Sequence, residues 1–384
     1  MNRRVVVVIC MLDSIHSARW LSQFKDQSIT FIVFPSSKHR HLHPQIAELL
    51  KGKTNAKFEL FMGNRLKNIC GYLDFVFVYL PLRFFNLDFR SRLLSKILVQ
   101  KKVDIIHALE IQGAGYLVLK ANAIREIDAQ LIVTNWGSDI YFYSSQPDHR
   151  EKIKSVLKLA THYSAECVRD YELATQLGFS GINLPCIPNA GGFQLNYFKN
   201  QVKTSSRSNI VVKSYGGTFG RGDLIIIAIR RILSEYSNFS VLLYSVTDDL
   251  NEAAENLMLD FPSRVTFSTR RKPLEQPKLF NIFLASRVYV GASRSDGIST
   301  SFLEALISGC YPIQTNTSCA DEWVERGAVG TLVSQSADEI YEATRQALED
   351  DALVDEAQQK NTEIASKYLS IEKVRDQALD FYKF

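Results

Sequence analysis

Two carboxylates, Asp296 and Glu304, stand with seven residues between them, across a Gly-containing turn and the opening of an apolar helical pattern. A carboxylate accepts two O–H donors at once, so this pair suits a site that must hydrogen-bond sugar hydroxyls. Between the acids, Gly297, Ile298, Ser299 and Thr300 lead into a helix N-terminus, where free N–H groups and a partial positive charge favour an anion. Upstream, Ser214–Asp223 (SYGGTFGRGD) is a Gly-rich loop between an apolar strand and an apolar helix. Such a loop, with Gly217 at its centre, lets backbone approach a diphosphate, and Arg221 supplies charge to neutralise what grows on it. A plainer reading competes at Glu304, because Ser301 three residues earlier gives the spacing of a capping box.

The elements around these residues read as strand, loop, helix, strand. Val288–Ala292 is an apolar run. Phe302, Leu303, Leu306 and Ile307 follow at helical spacing, Gly309 stands where the helix should stop, and Tyr311–Gln314 with Pro312 opens a second strand. This predicts a β-loop-α-β unit with a right-handed crossover, which binds ligands at the carboxyl end of its strand. Earlier in the chain, strands are expected at Val5–Leu12, Phe31–Phe34, Asp104–His107, Leu131–Thr134 and Thr161–Ala165. The loops that follow the strands carry His16, Glu110 and Asp139, and His107 ends one strand, so all four open on one edge of a doubly wound sheet. Ile187–Gly192, with one Pro and paired Gly, reads as a hinge. Further strands are expected at Ile210–Lys213, Val241–Tyr244 and Val265–Phe267, and helical spacing returns between Ala357 and Phe384.

At 384 residues the chain suits two domains rather than one core. The six cysteines show no CxxC spacing and read as buried thiols of a reducing, cytoplasmic compartment. No apolar run is long enough to span a membrane, and Val5–Leu12 stops at Asp13 without a cleavage site, which reads as a buried strand rather than a secretion signal. The net charge of +4 is local: residues 51–102 hold 11 basic and 3 acidic side chains. Bulky apolar, largely aromatic residues and basic residues are mixed over 65–102, which suits an anionic membrane surface, and nothing points to nucleic acid. His39, His41 and His43 lie between prolines in a loop and are not read as metal ligands.

The stretch from Ser286 to Val333 resembles the donor-site motif of the retaining, nucleotide-sugar-dependent glycosyltransferases of family 4. That pattern runs from an acid through seven residues to Glu, then Ala-x-x-x-Gly and a Pro-bearing strand, here Asp296, Glu304-Ala305, Gly309 and Pro312. The resemblance implies an α/β chain of two doubly wound Rossmann-like domains facing a cleft, the GT-B fold. Residues 1–188 form an acceptor domain, 189–356 a donor domain, and 357–384 a helical segment that packs back toward the first. It implies transfer of a sugar, with retention, from a UDP- or GDP-sugar to a carbohydrate or lipid-pyrophosphate-linked acceptor in surface-polysaccharide assembly, with neither cofactor nor metal. Asp296, Arg221 and Asp139 are the expected catalytic residues, and Gly217, Arg221, Arg270, Asp296 to Thr300 and Glu304 the donor site. Asp296 holds sugar hydroxyls and Glu304 those of the ribose, while His16, His107 and Glu110 face the acceptor. The chain departs from the pattern at three places: Asp296 is one methylene shorter than the usual Glu, Gly216 stands where a cation is usual, and Trp136 where a histidine is. A sugar-nucleotide epimerase and an inactive nucleotide-sugar-binding subunit remain as alternatives.

Overall fold

The computed structural model describes residues 3–37, 42–52, 54–61, 89–199 and 201–383. It divides into two compact units, residues 1–191 with 374–384, and residues 192–373. The expected boundaries at 188 and 356 differ from these, because the helix Asp351–Tyr368 belongs wholly to the second unit and the chain rejoins the first only at Val374.

The first unit is built on strands β1 (Arg4–Cys10), β2 (Ile29–Pro35), β3 (Lys57–Leu60), β4 (Ile105–Leu109), β5 (Gln130–Thr134), β6 (His162–Ser164) and β7 (Ile182–Asn183). Among the described residues they form one sheet in the order β3-β2-β1-β4-β5-β6-β7, every pair parallel. A parallel strand with helices on both faces has no solvent side, which is why β1 reads as a continuous apolar run. Val7 and Ile9 enter the core on one face, and Val6, Val8 and Cys10 the core on the other. Phe381 and Tyr382, at the end of the chain, complete the second of these cores beside Trp20, Phe24 and Phe31.

The second unit carries β8 (Asn209–Lys213), β9 (Ser240–Val246), β10 (Val265–Thr269), β11 (Ser286–Gly291), β12 (Tyr311–Thr315) and β13 (Thr331–Val333). They form a parallel sheet in the order β10-β9-β8-β11-β12-β13. Ile210 and Val212 of β8 pack with Val288 and Val290 of β11 on one face. Val211 and Tyr289 pack on the other, under the helix Thr300–Ser308. Both sheets are doubly wound α/β layers of the Rossmann type.

Strand order reverses between β1 and β4 in the first sheet and between β8 and β11 in the second. At such a switch point the loops leaving the two neighbouring strands diverge to opposite faces and leave a crevice at their carboxyl ends. In the second unit those loops are the Gly-rich segment after β8 and the Asp296 segment after β11. In the first they lead to His16 and to Glu110.

Candidate functional site

In the second unit the two switch-point loops are bonded to each other. The Arg221 N–H donates to the Ala292 carbonyl at 3.1 Å, the Arg294 N–H donates to the Phe219 carbonyl at 2.7 Å, and Gly220 forms a bridge with Ser293. The end of β12 holds the second loop in turn: Thr317 Oγ1 donates to the Ser293 carbonyl at 2.6 Å, and the Asp296 N–H donates to the Thr317 carbonyl at 3.2 Å. Asp296 is half-buried and its Oδ1 accepts the Gly297 N–H at 2.9 Å.

The helix that follows runs Thr300–Ser308 and ends on Gly309, whose φ of +68° is the left-handed stop the sequence predicts. Its start differs from the expected capping box. The N-cap is Ser299, no side chain caps the helix, and Ser301 is already its second residue. Glu304 therefore lies a full turn inside, 6% exposed, rather than reaching back to a capped end. Gly297, Ile298 and Ser299 are buried and Thr300 half-buried, so the uncapped N-terminus is enclosed beyond the carboxyl end of β11.

Sequence reasoning missed three tyrosines here. Burial pushes the Tyr215 hydroxyl well above its ordinary range; the Asp296 charge and Tyr289 add to this, while Ser293 and Arg270 pull it back. Burial likewise raises Tyr289, with the Ser299 hydroxyl opposing it and Glu304 and Asp296 reinforcing it. Tyr244 is raised by burial, by Tyr289 and by Glu304. Asp296, Glu304 and Arg270 thus act on one set of hydroxyls. A tyrosine inside an apolar strand, such as Tyr244 or Tyr289, is indistinguishable from core until the sheet is assembled.

The Gly-rich loop is less open than its composition suggests. The Gly216 N–H donates to Thr247 Oγ1 at 2.8 Å and the Gly217 N–H donates to Asp249 Oδ2 at 2.9 Å. A side chain at Gly216 would begin 2.3 Å from that same Oδ2, so a carboxylate fills the place where the resemblance leads one to expect a cation. Arg221 donates from Nε and Nη2 to Asp223 at 3.0 and 2.9 Å, and from Nη1 to Gln335 at 3.2 Å. This pairing holds the guanidinium above its ordinary pKa.

The residues singled out in the first unit have separate tasks. His107 is fully buried: its Nδ1 is hydrogen-bonded with the Tyr382 hydroxyl and its Nε2 with Thr134 Oγ1, both at 2.7 Å. Trp20 Nε1 donates to the same Tyr382 oxygen at 3.1 Å. Burial lowers the imidazole pKa to about 3. With both nitrogens committed and no exposed surface, His107 is a core residue, which corrects its expected place on the acceptor side. Glu110 is also engaged, its oxygens accepting the Gly113 and Ala114 N–H groups at 2.7 and 2.9 Å to open a single π-helical turn, Ile111–Gly115. Asp139 is 7% exposed and accepts the Trp136 N–H at 2.7 Å and the Ile111 N–H at 3.1 Å, tying the loops after β5 and β4 together. Burial pushes its pKa to about 7; the two N–H donors oppose the shift and the Glu110 charge adds to it. His16 is half-buried and stands edge-on to Trp136, ring centroids 5.2 Å apart. His39 and His41 lie outside the described residues, and His43 caps the helix Pro44–Leu50 through Nδ1.

Residues 220–350, which run from the Gly-rich loop past the acidic pair, match the family model for glycosyl transferases group 1. With the fold, the match supports a glycosyltransferase. HepE of Anabaena in complex with UDP and glucose superposes with a TM-score of 0.68 at 14% identity, over 99% of each chain. Sucrose-phosphate synthase of Thermosynechococcus elongatus gives 0.70 at 13% identity, over 99% of this chain and 98% of that one. A protein described as a UDP-N-acetylglucosamine 2-epimerase of Listeria monocytogenes gives 0.58 at 13% identity, over 95% of each. At these identities the likeness is one of fold. No curated protein matches the chain in sequence.

Proposed function

We propose that the chain is a retaining glycosyltransferase that moves a sugar from a nucleoside diphosphate sugar to a carbohydrate or lipid-linked acceptor. The observation that carries this reading is the convergence, at one switch point, of an uncapped helix N-terminus, the buried Glu304 and the half-buried Asp296. The reaction requires a diphosphate to leave while the sugar carbon becomes cationic. The N–H groups around Ser299 and Thr300, with Arg270 and an Arg221 released from Asp223, stabilise the departing charge. Asp296 holds sugar hydroxyls and Glu304 those of the ribose, each carboxylate accepting two donors. The leaving phosphate oxygen takes the acceptor proton, so no separate base is needed, and the helix N-terminus with the two arginines takes the place of a divalent metal on the diphosphate. Activity abolished by EDTA and restored by magnesium would overturn that part. Asp139, in the short helix after β5, is the catalytic carboxyl of the first unit, and His16, in the helix after β1, serves the acceptor side.

UDP is the favoured nucleotide, since the Anabaena neighbour was solved in complex with UDP. Calorimetry with UDP-, GDP- and ADP-sugars, followed by the anomeric configuration of any product, tests the donor and the retention together. A role in surface-polysaccharide assembly on the cytoplasmic face of a membrane fits the basic segment 65–102, of which 65–88 lies outside the described residues. Arg92, Lys96, Lys101 and Lys102 at its end are exposed, and no helix of the described residues is long and apolar enough to cross a membrane. The chain should bind phosphatidylglycerol vesicles and lose that binding when these four are neutralised; no binding by the wild-type chain would refute the membrane role, and binding that persists in the variant would refute the part given to these four. A second reading, a subunit that binds nucleotide sugar without turnover, is favoured by Asp249 at Gly216 and Asp223 on Arg221. Tight donor binding with no transfer to any acceptor would decide for it.

A further inference from the structure

We infer that Lys213, the last residue of β8, is a phosphate-binding cation of the donor crevice and replaces the one absent at position 216. This rests on the nucleotide-sugar reading above. Lys213 lies on the central strand, with its backbone beside Tyr244 of β9 and Gly291 of β11, at the carboxyl edge where the strand order reverses. Side chains alternate along a strand, so Lys213 shares the face of Val211, the face covered by the helix that carries Glu304. Its ammonium stands 5.0 Å over the Tyr215 ring. That seat holds it against the same tyrosine whose hydroxyl feels Asp296 and Arg270.

The need for such a cation follows from the neighbouring loop. The Gly216 and Gly217 amides are spent on Thr247 and Asp249, and Arg221 is turned onto Asp223. A diphosphate entering this crevice meets three carboxylates, Asp249, Asp296 and Glu304, and requires positive charge from the strand end itself. A lysine is a compact charge on a flexible stem and can swing from the ring onto a phosphate oxygen without moving the backbone.

The test is calorimetry of UDP and uridine on the full chain, its Lys213→Gln variant and its Lys213→Arg variant. Loss of one charge-assisted contact to phosphate weakens UDP binding by about 10- to 100-fold in Lys213→Gln. Uridine affinity stays level, and Lys213→Arg retains most of the UDP affinity. Wild-type binding of UDP together with Lys213→Gln binding within about twofold overturns this inference and leaves the proposed function standing. A wild-type chain that binds no nucleoside diphosphate overturns both.

Discussion

Glu304 separates a ligand-binding role from a structural one. In Glu304→Gln the side chain keeps its shape and one acceptor oxygen, so its packing is largely retained on a helix that is enclosed from Ser301 to Ser308. What changes is the second oxygen, which becomes an NH2 donor, and the negative charge. If the carboxylate receives two ribose hydroxyls, the variant loses one charge-assisted hydrogen bond and weakens the other, a cost of about 1.5–3 kcal/mol. That corresponds to a dissociation constant for UDP raised by about 10- to 150-fold. Calorimetry reads the constant, thermal melting reads the stability, and repeating both with 2′-deoxy-UDP closes the cycle. The deoxy ligand should bind more weakly than UDP to the wild type and almost equally with UDP to the variant. Equal UDP affinity in wild type and variant, with a lowered melting temperature, would place Glu304 in the core and remove the donor reading.

Asp223→Asn should release Arg221 toward the crevice and tighten nucleoside diphosphate binding by up to about fivefold, the scale of one partly exposed ion pair; weaker binding would show that the pair positions the guanidinium instead. Tyr382→Phe leaves the Trp20 N–H and His107 Nδ1 without their shared partner and should cost about 1–3 kcal/mol in urea unfolding, and an unchanged midpoint would refute the relay. Asp139, lifted from 3.8 to about 7 by burial, lends stability below pH 4 that is lost as pH rises through 7. The stability difference between wild type and Asp139→Asn should therefore shrink by up to about 4 kcal/mol from pH 4 to pH 8. A difference that stays constant across that range would show that Asp139 titrates normally.

The parallel strands were legible because strands enclosed on both faces read as unbroken apolar runs: β1, β4, β5, β8 and β11 all carry this signature. The edge strands β3, with its KFEL pattern, and β7, two residues long, did not, since a short half-exposed edge needs no continuous apolar sequence. Gly309 announced its helix end because its φ of +68° is costly for other residues. The Ser301–Glu304 spacing misled for a related reason. Capping boxes are local, but here the Ser299 and Ser301 hydroxyls face Tyr289 of β11 instead of the helix end.

The same distinction governs the candidate site. Asp296, Glu304 and the Gly-rich loop could be found by spacing, because a strand-loop-helix unit places its own residues. The charge balance of the crevice could not. It is set by Asp249, which reaches Gly217 from 32 positions away, and by Asp223, which takes the two-pronged donor of Arg221. In each case a carboxylate already occupies what the sequence offered as an anion site, so a diphosphate must either displace it or find other cations. On the proposed function Lys213 and Arg270 answer that need, and without their charge a nucleoside diphosphate would face Asp249, Asp296 and Glu304 unneutralised.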